Sequence, residues 1–417
     1  MRPNLPSGTT YPRGLGESIR WPLVPARNLF ELRYGKALVQ TKRRAGTVPV
    51  YGTNGRCGSH DEPLFAGPGV IIGRKGQGPL GVEWCDEPYW VIDTAYTLVP
   101  LRPDVDLKFA YYLIKHIGLN HLKDGTSNPS LSRDTFGAQA LPQPPLAEQR
   151  RIARILGALD DKIELNRRMN STIESIARAI FKSWFIDFDP VRKTMEGGKC
   201  GLPPDLAALF PDSRVRSSLG DMPSGWRVGR CDEDFSVTMG QSPPGESYNE
   251  HGEGMAFYQG RRDFGARYPT ARVFCTSPSR LAKAGDTLVS VRAPVGDINL
   301  AGTACCIGRG VAAVRHSSGS ITYTYEMMRS LRSVFDDFES GGTVFGAIGG
   351  RDFRSLPVAI PPKSVVDAYE NLAPIAQRLD GLDAESRLLV AVRDALLPRL
   401  LSGEIRTLST VDSLESS

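Results

Sequence analysis

One pattern occurs twice in this chain. Gly125-Thr126, Arg133-Asp134 and Pro144-Pro145 lead into a long amphipathic segment, and Gly342-Thr343, Arg351-Asp352 and Pro361-Pro362 lead into another. The copies lie 217 residues apart at the Gly-Thr and Pro-Pro pairs and 218 apart at Arg-Asp. A duplicated unit whose copies carry different side chains implies two related surfaces that read two different things. At 417 residues the chain exceeds one core and suits two domains with accessory elements.

Residues 1–143 are expected to form the first globular domain and residues 225–360 the second, each of mixed helix and strand. Short apolar runs cut by glycine predict strands at 48–51, 69–72 and 96–99, with a helix over 109–117. The second copy repeats the outline with strands at 255–258, 286–291 and 311–314 and a helix near 323–335. Ile71 to Gly78 matches Leu288 to Gly296, pairing Arg74 with Arg292 and Gly78 with Gly296.

The first long helix is expected over 144–192: prolines precede it, Glu148 sits in its first turn, and Pro190 lies beyond its end. Its heptad places Ile152, Leu159, Asn166, Ile173 and Ile180 at a, and Leu156, Ile163, Asn170, Ala177 and Trp184 at d. The second helix, expected over 361–405, carries Ile375, Leu382, Leu389 and Leu396 at a, and Leu372, Leu379, Ser386, Arg393 and Leu400 at d. Two matching narrow stripes most simply pack against each other, with Asn166 and Asn170 fixing register at some cost in stability. At 1.5 Å per residue such a helix is ~60 Å long, comparable to one or two turns of B-DNA. Gly-, Pro- and Ser-rich residues 193–224 are expected to be a linker, and 406–417 a polar tail. The fold class is therefore α+β, with two mixed domains alternating with two long paired helices.

Catalytic constellations are missing from the sequence. No G-x-x-x-x-G-K-[ST] occurs, and Gly73 to Gly81 lacks the Ser or Thr and the helix N-terminus a phosphate cradle needs. Neither Pro-Pro pair has the preceding Asn or Asp and following aromatic that would grip an extruded base. Asp104, Asp106 and Lys108, like Asp160, Asp161 and Lys162, read as solvated charge rather than a metal-nuclease site. Seven cysteines without C-x-x-C, and five histidines without H-x-x-x-H, supply neither a disulfide framework nor a metal site. With no apolar h-region near Met1 and no run of eighteen apolar residues, a reduced, cytoplasmic protein without a membrane partner is expected.

Basic residues recur in turns beside the predicted strands. Lys42, Arg43, Arg44, Arg74, Lys75 and Arg133 do so in the first domain, and Arg261, Arg262, Arg292 and Arg351 in the second. Arg and Lys contact phosphates and read guanine, whereas Gln and Asn read adenine, so Gln77, Asn128, Gln241 and Gln259 join the candidates. The competing reading of each alone is an ordinary solvated loop. A net charge of +5 permits a nucleic-acid partner without requiring one.

Pro145-Leu-Ala-Glu-Gln-Arg-Arg-Ile152, Leu159-Asp-Asp-Lys-Ile-Glu-Leu-Asn166 and Phe181-Lys-Ser-Trp-Phe-Ile-Asp-Phe-Asp-Pro190 closely resemble the central conserved region of the specificity subunit of type I restriction-modification systems. Leu397 to Ile405 resembles the matching C-terminal region, although Val365 to Asn371 lacks an Ala-Glu-Gln-Arg segment. The resemblance implies two target-recognition domains, each reading one half of a bipartite double-stranded DNA site and held apart by an antiparallel helix pair. It implies that the chain is not itself catalytic and holds no cofactor. Two methyltransferase subunits with S-adenosylmethionine would dock on the helices, and restriction subunits would supply the ATP- and Mg-dependent chemistry. Alternatives are a system whose partner is a fused methyltransferase-nuclease, a self-sufficient nuclease or methyltransferase, and a generic coiled-coil scaffold.

Overall fold

The computed structural model describes residues 10, 12, 14–15, 19–340, 346–371 and 374–407, with backbone only for Ser340 and residues 374–377. Two compact units divide the chain: one runs up to Arg167 and resumes at Asp383, and the other is Arg168–Leu382. The boundaries fall inside the long helices rather than at their ends, so each unit includes helical segments as part of its own core.

In the first unit, β1 (Leu23–Pro25), β2 (Phe30–Tyr34), β3 (Val48–Gly52), β4 (Gly55–His60), β5 (Gly69–Gly73), β6 (Val82–Cys85), β7 (Trp90–Val91) and β8 (Ala95–Pro100) precede α1 (Leu107–Ile117). β9 (Lys123–Asp124), β10 (Ser130–Leu131), α2 (Arg133–Gly137), β11 (Ala140–Pro142) and α3 (Leu146–Phe181) follow. The main sheet has the order β2-β8-β5-β6, a second sheet has the order β4-β3-β7, and β1 pairs with β11. β5 is buried along its whole length, as its unbroken Gly-Val-Ile-Ile-Gly run requires of a central strand. The Asp106 side chain accepts from the Phe109 backbone N–H and starts α1, which buries Phe109 to Ile114. Ile152, Leu156, Leu400 and Leu401 from the long helices complete this core.

The second unit adds a π-helical turn (Lys182–Ile186), α4 (Asp189–Met195), α5 (Pro204–Ala207), β12 (Arg214–Ser217), β13 (Gly220–Pro223), β14 (Arg227–Arg230), α6 (Cys231–Asp234) and β15 (Phe235–Met239). Then come β16 (Tyr248–Asn249), β17 (Met255–Tyr258), β18 (Phe274–Cys275), β19 (Leu281–Ala282), β20 (Thr287–Ser290), β21 (Ile298–Leu300), β22 (Cys305–Ile307) and β23 (Val311–His316). The unit closes with α7 (Ile321–Ser330), α8 (Arg332–Ser340), α9 (Gly350–Ser355), β24 (Pro357–Ile360), α10 (Lys363–Asn371) and the start of α11 (Pro374–Ser402). Its main sheet, β15-β23-β20-β21, repeats β2-β8-β5-β6 strand for strand. The parallel pair β17–β22 repeats β3–β7, and β14–β24 repeats β1–β11. Phe181, Trp184 and Phe185 enter this core as the Leu and Ile residues of α3 enter the first.

Residues 193–224, expected as a linker, hold a helical turn and the β12–β13 hairpin. Leu202, Leu206, Leu209 and Phe210 pack on the second core, with Phe210 edge-on to Trp184 at 5.2 Å between ring centroids, so apolar spacing overrode the Gly and Pro content. The long helix itself ends as α-helix at Phe181; the π turn then lets Trp184 and Phe185 both face inward.

On α3 the stripe Ile152, Leu156, Ile163, Asn166, Ala177 and Trp184 is buried, and Leu159, Asn170, Ile173 and Ile180 are half-buried. On α11, Leu379, Leu382 and Leu400 are buried, Ser386, Leu389, Arg393 and Leu396 half-buried, while Leu372 and the Ile375 side chain lie outside the described residues, as do Gly342 and Thr343. Within the first unit the two helices run antiparallel: Asp160 accepts from Arg393 at 2.8 Å, and further along α3 Asn166 donates to Glu385 at 2.9 Å. Asn166 is fully buried, and its amide oxygen has no hydrogen-bond partner, the cost expected of a polar residue at a core position. Glu385 is also held by Lys162 at 3.3 Å.

Glu326 on α7 is 3% exposed, with Arg329 at 3.8 Å. Burial pushes its carboxyl above the ordinary value of 4.5, against the pull of Arg329 and Arg178. An acid whose folded value is raised holds an extra proton in the native state, so its contribution to stability declines as pH climbs from the unfolded toward the folded value. Glu326→Gln should therefore raise the melting temperature at neutral pH, with the gain vanishing below about pH 4.5. Thermal melts across the pH range check this; an equal shift at every pH contradicts it.

Candidate nucleic-acid interface

Both main sheets end their second central strand in a segment that carries cations, half-buried Arg74 and Lys75 in the first unit and exposed Arg292 in the second, and backbone hydrogen bonds define which residues correspond. Arg74 N–H donates to Thr94 and the Arg74 carbonyl accepts from Leu131; Val291 N–H donates to Gly310 and the Val291 carbonyl accepts from Ile348. Gly76 N–H donates to Pro129 as Ala293 N–H donates to Gly346. Isolated bridges join Lys75 to Ser130 and Arg292 to Ala347. Arg292 thus occupies the place of Lys75, not of Arg74, and Val291 stands where Arg74 does. The same correction applies at α2 and α9. The Phe136 N–H donates to Ser132 and the Phe353 N–H to Gly349, so Arg133 corresponds to Gly350, and Arg351 to Asp134. The structural offset stays at 217 here, and the 218-residue match of the two Arg-Asp pairs is a coincidence of sequence.

In the first unit, Arg74 and Arg133 converge on one aromatic ring. The Arg133 guanidinium lies 4.2 Å and that of Arg74 5.1 Å from the centroid of Tyr34. Tyr34 is 46% exposed, and its ring also meets Tyr96 at 4.9 Å. Burial and the hydrogen bond with Tyr34 raise the Tyr96 hydroxyl above its usual range, keeping it neutral. Neither arginine makes an ion pair with any described residue, so the ring faces orient both guanidinium groups without occupying their N–H donors. Beside them, Lys123 clamps the turn after β5, donating to the carbonyls of Gly76 at 3.1 Å, Gln77 at 3.4 Å and Gly78 at 2.9 Å. Gln77 donates to Thr126 at 3.2 Å and Ser127 at 3.0 Å, tying that turn to the exposed segment holding Asn128.

The remaining first-unit candidates are differently placed. Arg43 donates to the Cys57 carbonyl at 2.6 Å, and Arg44 is bound to Asp61 at 2.6 Å and Glu62 at 2.7 Å. Lys42 is exposed on a short 3-10 turn, and Lys75 lies 3.8 Å from Asp93. In the second unit, Arg262, Arg292 and Arg351 are exposed and make no ion pair with any described residue. Arg261 binds Asp297 at 2.5 Å, which also accepts from Arg332 at 2.8 Å. Gln241 and Gln259 are exposed, and their backbones are fixed: Gln241 donates to Ile307, and the Gln259 N–H to Asp263 at 2.8 Å.

Sequence reasoning missed Tyr34 and Lys123. Tyr34 shares a strand face with Phe30 and Leu32 by alternation, and its overhang beyond the core depends on where neighbouring strands stop. Among the described residues no group of three or more His, Cys, Asp or Glu is arranged to hold a metal ion, and no helix is long and apolar enough to cross a membrane.

Residues 20–175 match the domain family described as "Type I restriction modification DNA specificity domain". The chain is 27% identical over 328 residues to a putative type I restriction enzyme MjaX specificity subunit from Methanocaldococcus jannaschii, covering 74% of this chain and 71% of that one. It is 24% identical to the type I restriction enzyme HindI specificity subunit of Haemophilus influenzae, covering 66% and 71% respectively. Its fold is similar to the crystal structure of a type I restriction-modification S subunit from M. genitalium, with a TM-score of 0.62 at 18% identity over 94% of this chain and 99% of that one. Duplicated sheet domains joined to long helices, with a matched DNA-specificity domain, define a DNA-recognition protein of the restriction-modification class. Within that class, residues 20–175 carry the DNA specificity domain of type I systems, and the chain is similar to their specificity subunits.

If Lys123 holds the recognition turn, Lys123→Met should speed amide hydrogen exchange in residues 76–81 and weaken DNA binding, while exchange in β5 and β8 stays slow. Unchanged exchange in the turn would remove Lys123 from this role.

Proposed function

We propose that this chain reads an asymmetric bipartite site on double-stranded DNA, one half-site per unit, and serves as the non-catalytic recognition subunit of a methylating and cleaving assembly. One observation carries the reading: the same sheet order and backbone bonds occur twice, with different side chains at the equivalent positions. A single frame displaying two side-chain sets suits two unlike half-sites. The chemistry would belong to two methyltransferase subunits carrying S-adenosylmethionine and to restriction subunits using ATP and Mg, in the cytoplasm where cellular DNA lies. Methylation mapping in cells that express the chain with its methyltransferase subunit should reveal a gapped, asymmetric motif. A continuous or palindromic motif would overturn the two-unit reading, and turnover by the purified chain supplied with Mg²⁺, ATP and S-adenosylmethionine would overturn the non-catalytic one.

The long helices provide the docking surface for the methyltransferase subunits. Leu165 at 51% and Leu388 at 65% exposure are large apolar side chains left in solvent on α3 and α11 of the first unit, and Ile176 at 49% on the second-unit part of α3. A partner seated on these helices would cover this apolar surface and gain from its burial. Leu388→Glu should reduce copurification of the methyltransferase subunit without lowering the melting temperature of the isolated chain. Full retention of the partner by a folded variant would count against docking at this helix face.

A further inference from the structure

The two units differ in which face of one shared backbone path carries the arginines. We infer that Tyr34, Arg74 and Arg133 form a reading element particular to the first unit, and that the second unit reads instead through Arg292 and Arg351, each displaced by one residue along the same path. This rests on the proposed bipartite DNA reading and names the residues that make the half-sites unlike.

At the four equivalent positions the first unit carries Arg74, Lys75, Arg133 and Asp134, and the second Val291, Arg292, Gly350 and Arg351. Successive side chains on an extended segment point to opposite faces, and successive side chains on a helix diverge by ~100°. Arg292 therefore leaves the backbone on the face opposite to that used by Arg74, and Arg351 leaves its helix a large rotation away from Arg133. The support differs in the same way. Tyr34 lies opposite Tyr96 in the β2–β8 register; the corresponding pair in β15–β23 is Met239 and Ala312. A Cβ built on Gly350 would stand 2.9 Å from Met239 Cγ, so the place filled by the Arg133–Tyr34 stack in one unit is closed by Met239 against bare backbone in the other. The position of Lys75, drawn toward Asp93 at 3.8 Å, is in the second unit held by Arg292, which pairs with no described residue.

Tyr34 is a positioning residue. A guanidinium stacked on a ring keeps all five N–H donors, whereas one bound to a carboxylate, like Arg44, has given up part of its fork. Two oriented guanidinium groups with free donors suit the O6 and N7 acceptors of guanine, with adjacent phosphates as the alternative target. A base contact discriminates at one position; a phosphate contact weakens all sequences together and flattens the salt slope.

The test uses the chain in complex with its methyltransferase subunit and a duplex carrying the motif that this complex methylates, with base substitutions placed in each half-site in turn. Tyr34→Leu and Arg74→Val should lower discrimination on the order of tenfold or more in one half-site and leave the other unchanged, and Arg292→Ala should do the converse. Tyr34→Phe, which keeps the ring, should retain the unaltered pattern. Undiminished discrimination at the opposite half-site reports that each variant is folded. Retained discrimination at both half-sites in Tyr34→Leu and Arg74→Val would overturn this inference alone. So would a uniform loss across all duplexes with a reduced salt slope, which would make the arginines phosphate contacts. Failure of the unaltered complex to discriminate would overturn the bipartite reading itself.

Discussion

Apolar burial where each sheet domain meets the long helices is the interaction on which the rest of the structure depends. Ile152, Leu156, Leu400 and Leu401 close one core, and Phe181, Trp184 and Phe185 the other, so neither sheet domain has a complete interior of its own. Each fully buried side chain of this size contributes roughly 1.5–3 kcal/mol, which makes the helices structural walls of both cores. Candidate recognition segments anchored to a sheet that is itself anchored to a helix inherit a fixed direction.

The duplication, the positions of several strands and the heptad stripe were legible because they arise from repetition and periodicity, which survive divergence, whereas the order of strands in each sheet was not. Burial along α3 follows the stripe from Ile152 to Trp184, including the costly Asn166. The correspondence between arginines was not legible. Arg74 and Arg292, or Arg133 and Arg351, match as letters, but equivalence is set by main-chain bonds such as those of Leu131 and Ile348 that no letter records. The linker was misread for a related reason: its glycines and prolines are local signals, whereas the docking of Phe210 on Trp184 is tertiary.

The departure between the two helix starts also has a physical form. Glu148 is buried and accepts from the Thr407 N–H at 2.8 Å, the Thr407 hydroxyl at 2.7 Å and Arg151 at 2.6 Å, while Gln149 donates to the Asp104 and Pro144 carbonyls. At the corresponding turn after Pro362 the second copy places Val365 and Val366, both buried. One junction is thus held by directed polar bonds and the other by apolar packing. The absent Ala-Glu-Gln-Arg segment reflects a change in the kind of glue at an unchanged joint.

The main-chain bonds around Arg74 and Val291 have a consequence for how such a protein changes its target. Because donors and acceptors of the backbone hold the path at Arg74 and Val291, an arginine at one and a core valine at the other are carried by the same bonds, and moving a cation by one position leaves those bonds intact. On the proposed reading the alphabet is rewritten while the page stays bound: a new half-site follows from altered residues on two short segments of an unchanged backbone.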